Sequence, residues 1–68
     1  MEFVLVTYAH DRDVLVDGVA AGLTNHLMAM APGTYTFALA GPRDFSPAAY
    51  TIAVEGTSPL DPLELAFV

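Results

Sequence analysis

The chain has no cysteine, no tryptophan and no lysine, and its 68 residues carry only two arginines, Arg12 and Arg43. Without cysteine no disulfide is possible, and the thiolates that dominate structural zinc sites are missing. Two cations stand against eight acidic side chains, for a net charge of −6. Nucleic-acid binding depends on cations that displace phosphate counterions, and this chain has almost none to offer. Docking on an anionic membrane surface is disfavoured for the same reason. Long apolar runs are absent too. Phe3–Val6 falls far below the ~20 residues of a membrane-spanning helix. No secretory leader is read at the N-terminus, because Glu2 occupies a position that favours lysine or arginine and the first cation is Arg12. Either a cytoplasmic protein or a domain excised from a longer chain fits these absences.

What the chain does have is apolar content, 54% of its residues. The length sets one domain, residues 1–68. A chain of this size buries only about 60% of its unfolded surface. Its stability is expected near the lower end of the ~5–15 kcal/mol typical of native domains. Part of the apolar surplus is then available for pairing with another copy. The negative charge keeps so hydrophobic a chain in solution.

Apolar residues recur at every second position along several segments, and Gly or Pro punctuates them. Glu2–Tyr8 is rich in β-branched and aromatic residues and reads as a strand. Its two faces, Phe3 and Leu5 against Val4, Val6 and Tyr8, are both apolar, which predicts a strand covered on both sides or an edge that pairs with something. His10–Asp13 is a polar break. Asp13–Val16 is a second strand, turned by Asp17-Gly18, since Gly tolerates positive φ and Asp can bond its own backbone. Val19–Leu23 is a short return that Gly22 distorts. A helix over Val19–Met30 competes with it, because Leu23, Leu27 and Met30 have helical spacing and Thr24 or Asn25 suits a cap.

Pro32-Gly33 is a turn leading into the cleanest strand, with Tyr35, Phe37 and Leu39 on one face and Thr34, Thr36 and Ala38 on the other. Gly41–Pro47 is a loop with Phe45 as its apolar plug. Ala49–Val54 and Leu63–Val68 are the remaining strands, placing Tyr50, Ile52, Val54, Leu63, Leu65 and Phe67 inward. The pattern predicts an all-β fold, a small antiparallel β-sandwich of the immunoglobulin-like or prealbumin-like kind, with about five to seven short strands.

The order of these turns resembles the PEGA domain family. The apolar-X-apolar-Asp-Gly strand end of that family matches Val14–Gly18, its Gly-X-Thr-Pro segment is matched in part by Gly22-Leu23-Thr24, and its Pro-Gly-X-Tyr turn by Pro32–Tyr35. Tyr50–Val54 fits its alternating strand. Asn25 stands where the family usually has proline, and Asp44-Phe45 stands where Gly-Tyr is usual. The likeness runs from about Asp11 to Val68. It implies a carboxypeptidase-regulatory or transthyretin-like sandwich, found as an accessory module in bacterial and archaeal surface proteins or attached to other domains. It brings no catalytic residues.

Several groups invite chemistry, and each has a plainer reading. Asp11, Asp13 and Asp17 alternate on one strand face and present hard carboxylates suited to calcium, but Leu15 holds the position where an EF-hand needs a ligand. A solvated strand face is the simpler account. His10 and His26, with Asp11, make a thin donor set for zinc or nickel. Ser46, Ser58 or Thr24 with a histidine and an aspartate lack a nucleophile elbow and an oxyanion loop. Met28 and Met30 suit a core or an adaptable surface. Tyr8, Tyr35 and Tyr50 suit a sugar platform only if they face outward.

The expectation is therefore no catalytic, cofactor or metal residue and no enzyme. A protein partner, or self-association through a sheet edge, is expected instead, because lysines and other charges that guard edges are scarce. A ligand-binding module for carbohydrate or calcium, or a small regulatory protein capping a partner, is the alternative.

Overall fold

A computed structural model describes the whole chain, Met1–Val68. It contains seven strands and no helix: β1 Glu2–Thr7, β2 Asp13–Val16, β3 Val19–Leu23, β4 Leu27–Met30, β5 Gly33–Leu39, β6 Tyr50–Val54 and β7 Leu63–Ala66. They form two sheets, ordered β4-β1-β7 and β3-β2-β5-β6. The molecule is a small β-sandwich. The chain changes sheet between β1 and β2, β3 and β4, β4 and β5, and β6 and β7. Only β2-β3 and β5-β6 are neighbours in both sequence and sheet. Pairing is antiparallel throughout the larger sheet and between β1 and β4, while β1 and β7 run parallel.

Alternation selects the core. Val4, Val6 and Leu65 from the smaller sheet meet Val14, Phe37, Leu39 and Val54 from the larger one, and Met28, Phe45 and Phe67 complete the buried cluster. Each such side chain contributes about 1.5–3 kcal/mol when fully buried. Val16, Tyr35, Tyr50, Ile52 and Leu63, all expected inward, are half-buried against this cluster. Phe45 is buried, as its place in the loop predicted.

The return strand over Val19–Leu23 forms as expected, its helical alternative fails, and two expectations are corrected. The helix over Val19–Met30 does not form; β3 and β4 occupy that stretch, in different sheets, joined by Thr24–His26. The first strand is neither doubly covered nor an edge. It is the centre of its sheet, with Val4 and Val6 fully buried and Phe3 and Leu5 half-exposed on the outer face. Finally, Asp11 and Asp17 are not on a shared strand face with Asp13, because β2 begins at Asp13 and ends at Val16.

Two glycines have structural reasons. Asp17 and Gly18 take φ of 51° and 84° between Val16 and Val19, which are paired. Two successive positive φ values define the hairpin turn whose twist matches the flanking strands. The Asp17 carboxylate also accepts from the Thr36 N–H at 2.9 Å, fastening the turn to β5. Gly22 faces β4, where a Cβ would stand 2.8 Å from Cγ of Met28 and closer still to its sulfur. Any side chain there collides with a buried residue.

Candidate functional site

Three loops and the end of β1 converge at one end of the sandwich, and most of the side-chain hydrogen bonds lie there. Thr24 is the one buried polar residue. Its hydroxyl accepts from the Arg12 N–H at 2.8 Å and donates to the His10 carbonyl at 2.7 Å, while its own N–H donates to the Arg12 carbonyl at 2.9 Å. The hydroxyl thus completes the backbone pairing of a loop that has no strand beside it.

Asn25 acts alike on the neighbouring strand. Its carboxamide accepts from the Tyr8 N–H at 3.2 Å and donates to the Tyr8 carbonyl at 3.0 Å, as a paired strand residue would, and its amide also donates to Asp11 at 3.3 Å. The backbone N–H of Asn25 donates to the Val6 carbonyl at 2.6 Å. Asn25 has φ of 65°, in the left-handed region. Proline is locked near −65° and has no N–H. A proline at this position would therefore lose that bond and require a φ of the opposite sign.

Arg12 is the hub of the surface above. Its Nη1 and Nη2 meet the two carboxylate oxygens of Asp44 at 2.6 and 3.3 Å, and Nη1 also reaches the Pro42 carbonyl at 3.2 Å. The guanidinium carbon lies 5.1 Å from the Tyr8 ring centre and 5.9 Å from that of Phe45. The paired bonds hold the Asp44 carboxyl below its ordinary value and push the Arg12 guanidinium above its own. Below this pair an edge-to-face aromatic series runs from Tyr8 to Phe45, Phe67 and Tyr50, with centre-to-centre steps of 6.4, 5.6 and 5.2 Å. At the opposite end of β1 the Glu2 carboxylate accepts from the hydroxyl and the N–H of Thr57 at 2.6 and 2.8 Å. Those bonds hold the Glu2 carboxyl below its ordinary value.

The groups singled out from the sequence are distributed rather than gathered. Asp11 faces His26, with 3.7 Å between Oδ2 and Nε2; Asp13 is exposed on β2; Asp17 fastens its turn. No three His, Asp or Glu side chains lie close enough together to hold a metal ion. His10 sits exposed with its ring edge to Tyr8. Thr24 is buried with its hydroxyl engaged, Ser58 bonds Asp61 locally, and the Ser46 backbone pairs with Val68. Tyr35 donates its hydroxyl to the Ala31 carbonyl at 2.7 Å, folding back over Gly33 and closing the Pro-Gly turn. Tyr50 donates to the Ala66 carbonyl on β7 at 2.7 Å. Met28 is a core residue packed on Gly22.

Sequence reasoning missed the Arg12–Asp44 pair and the Thr24 bridge. Asp44 is 32 residues from Arg12 and Thr24 is 12, and no local pattern announces either contact.

The remaining surface of interest is apolar. Of the large apolar side chains that stand exposed, Val19, Leu23 and Leu27 all lie on β3 and β4. Leu27 pairs with Leu5 and Ala29 with Phe3, so these four share the outer face of the smaller sheet. No cavity opens anywhere in the molecule. Compared with protein-family models, with curated proteins and with solved structures, the chain matches none.

Proposed function

We propose that this chain is a non-enzymatic interaction or scaffold module of the PEGA-like kind, presenting turns and one sheet edge from a rigid sandwich to a protein partner. The observation that carries the reading is β4. It is an edge strand of sequence Leu-Met-Ala-Met, without charge or proline, with its own Leu27 exposed and half-exposed Phe3 and Leu5 beside it on β1. A strand edge offers a row of unpaired N–H and C=O groups, and natural sheets usually guard it with charge, proline or a bulge. The tied loop end supplies the rigidity that such display needs. The Asp-Gly and Pro-Gly-Thr-Tyr turns, which carry the family resemblance, are each closed by a side chain, Asp17 and Tyr35.

The test is photo-crosslinking in the native cells, with a photoreactive residue placed in turn at Leu27 on β4, Thr51 on β6 and Arg43 in the loop. A discrete adduct with a second protein from at least one position is expected. Absence of any adduct from all three positions overturns the reading.

A further inference from the structure

The loop between β5 and β6 carries Pro42, Arg43 and Asp44 at the tied end of the sandwich. The Asp44 N–H donates to the Pro42 carbonyl at 2.8 Å, closing a three-residue turn with Arg43 at its apex. Both neighbours of Arg43 are held from below. The Pro42 carbonyl also accepts from Arg12 at 3.2 Å, and the ring of Pro42 fixes its own φ. The Asp44 carboxylate takes the paired bonds of Arg12 at 2.6 and 3.3 Å, and its carbonyl accepts from the Tyr8 hydroxyl at 3.4 Å. The flanks are fastened too. The Ala40 N–H donates to the Asp13 carbonyl at 3.0 Å, Phe45 is buried in the core, and Ser46 exchanges backbone bonds of 2.7 and 2.8 Å with Val68.

Arg43 itself is the exception. It is exposed and forms no hydrogen bond or ion pair, although the chain has eight acidic side chains. Arg12 is committed to Asp44, so Arg43 is the one free cation. A single guanidinium projected from a stiff apex suits a narrow pocket better than a flat acidic surface. Its planar fork matches a carboxylate through two parallel bonds. Peptidases of the trypsin kind carry a carboxylate at the floor of the pocket that selects the residue before the cut bond.

We propose that the Pro42–Asp44 turn is a substrate-like plug for arginine-specific serine peptidases, with Arg43 filling the pocket and the tied loop resisting the cut. This inference rests on the interaction-module reading above and names the partner of one displayed turn. A loop already held in shape loses little freedom on binding. In the acylation step the peptidase's serine oxygen bonds the Arg43 carbonyl carbon. The serine proton passes to the Asp44 nitrogen, and the Arg43–Asp44 bond opens. Asp44 stays in place, because its carboxylate is on Arg12 and the next residue, Phe45, is in the core. The new amine therefore remains beside the acyl group and closes the bond again, at an effective concentration that water must compete with. The peptidase stays occupied.

The experiment uses the full chain with trypsin as the probe. Because lysine is absent, trypsin can cut only after Arg12 and Arg43, so the fragments identify the site by mass. Expected is competitive inhibition of a small chromogenic arginine substrate, with a constant of about 100 μM or tighter. The Arg43–Asp44 bond should be cut at least about a hundredfold more slowly than in a free peptide of the same loop, because cleavage awaits local opening. The exposed substitution Arg43→Ala should weaken inhibition by about a hundredfold or more and leave the melting temperature unchanged. Arg43→Leu should move inhibition from trypsin to chymotrypsin, whose pocket is apolar. Asp44→Asn, which weakens the tie to Arg12, should speed the cut by about tenfold or more and turn the plug into a substrate. Inhibition weaker than about 100 μM, inhibition that survives Arg43→Ala, or a cut as fast as in the free peptide each overturns the inference. The interaction-module reading survives all three results and fails only through the crosslinking result.

Discussion

The loop end and the β4 edge lie on either side of one short link, Thr24–His26, and they obey opposite rules. On the loop side every buried polar side-chain atom has a partner within the chain. Thr24 and Asn25 imitate strand residues and complete the pairing of Arg12, His10 and Tyr8. On the β4 side one flank of the strand is paired to β1 and the other flank has no neighbouring strand. The difference teaches where this small domain invests its polar residues. A chain near the lower limit of independent stability needs its loops fastened, because an unpaired buried polar group costs about 1–3 kcal/mol. An exposed edge carries no such penalty, since water satisfies it until a better partner arrives. Rigidity and availability are thus separated by three residues.

The largest expected effect breaks the tied side. Asn25→Pro removes the N–H bond to Val6 and the clasp on Tyr8, and it demands a φ of the wrong sign. A loss of more than about 3 kcal/mol is expected, enough to unfold much of the population. Thr24→Val, which keeps the shape and removes the hydroxyl, is expected to lose about 2–4 kcal/mol by leaving the Arg12 N–H and the His10 carbonyl without that partner. Urea unfolding measures both. If either variant matched the parent in midpoint, the loop end would not be the fastened region described here.

A smaller effect sharpens how the bare strand is held. With only one hydrogen-bonded neighbour, β4 depends on packing, and Met28 in the core cluster lies close against Gly22 of the other sheet. Gly22→Ala is expected to destabilise by about 1–3 kcal/mol through overpacking. In a Met28→Ala background the same change should cost almost nothing, because the colliding atoms are gone. A double-mutant cycle reads this directly. Additive effects would mean that Gly22 is required for a backbone reason and that β4 is anchored elsewhere.

The parts of the fold that the sequence disclosed are those with a clean period of two. Thr34–Leu39, Tyr50–Val54 and Leu63–Ala66 alternate visibly, and their inward residues are the ones packed on the core. β4 was obscure because Leu, Met and Ala are strong helix formers and the apolar run there is continuous, so neither propensity nor period marked a strand. Pairing with β1 decides it, and that is a tertiary fact. The place of β1 was hidden for a related reason. Phe3 and Leu5 make its second face apolar, as in a buried strand, although that face is the outer one. Scarcity of guarding charge was legible and pointed to an edge, but it could not say which. The choice of β4 over β3 depends on the bulge at Ala21, and no residue pattern marks that bulge beyond a nearby glycine.

The smallest expected effect compares the two carboxylate ties, one at each end of β1. Asp44 is held by Arg12 at the loop end, and Glu2 by Thr57 near the close of β4, opposite Met30. Both carboxyls titrate below their ordinary values of 3.8 and 4.5 because hydrogen bonds favour the charged form. A carboxyl depressed in this way takes up a proton less readily folded than unfolded. Its stabilisation is therefore complete above the unfolded-state value and is lost as pH falls through the folded-state value. Acid acts in the opposite direction on the net charge, since protonation relieves the repulsion among the eight acidic side chains. The double variant Glu2→Gln with Asp44→Asn separates the two trends. Below about pH 4.5 the parent's melting temperature should fall relative to that of the variant, and above about pH 6 the gap between the two should be constant. Constant separation throughout the acid range would mean that neither tie contributes. The single variants then tell the ends apart. Losing the Glu2 tie should speed amide exchange in β1 and β4 first, and losing the Asp44 tie should speed it in the loop that carries Phe45. The bare edge and the fastened loops would in that case respond to acid through different carboxylates, as two regions with separate anchorage must.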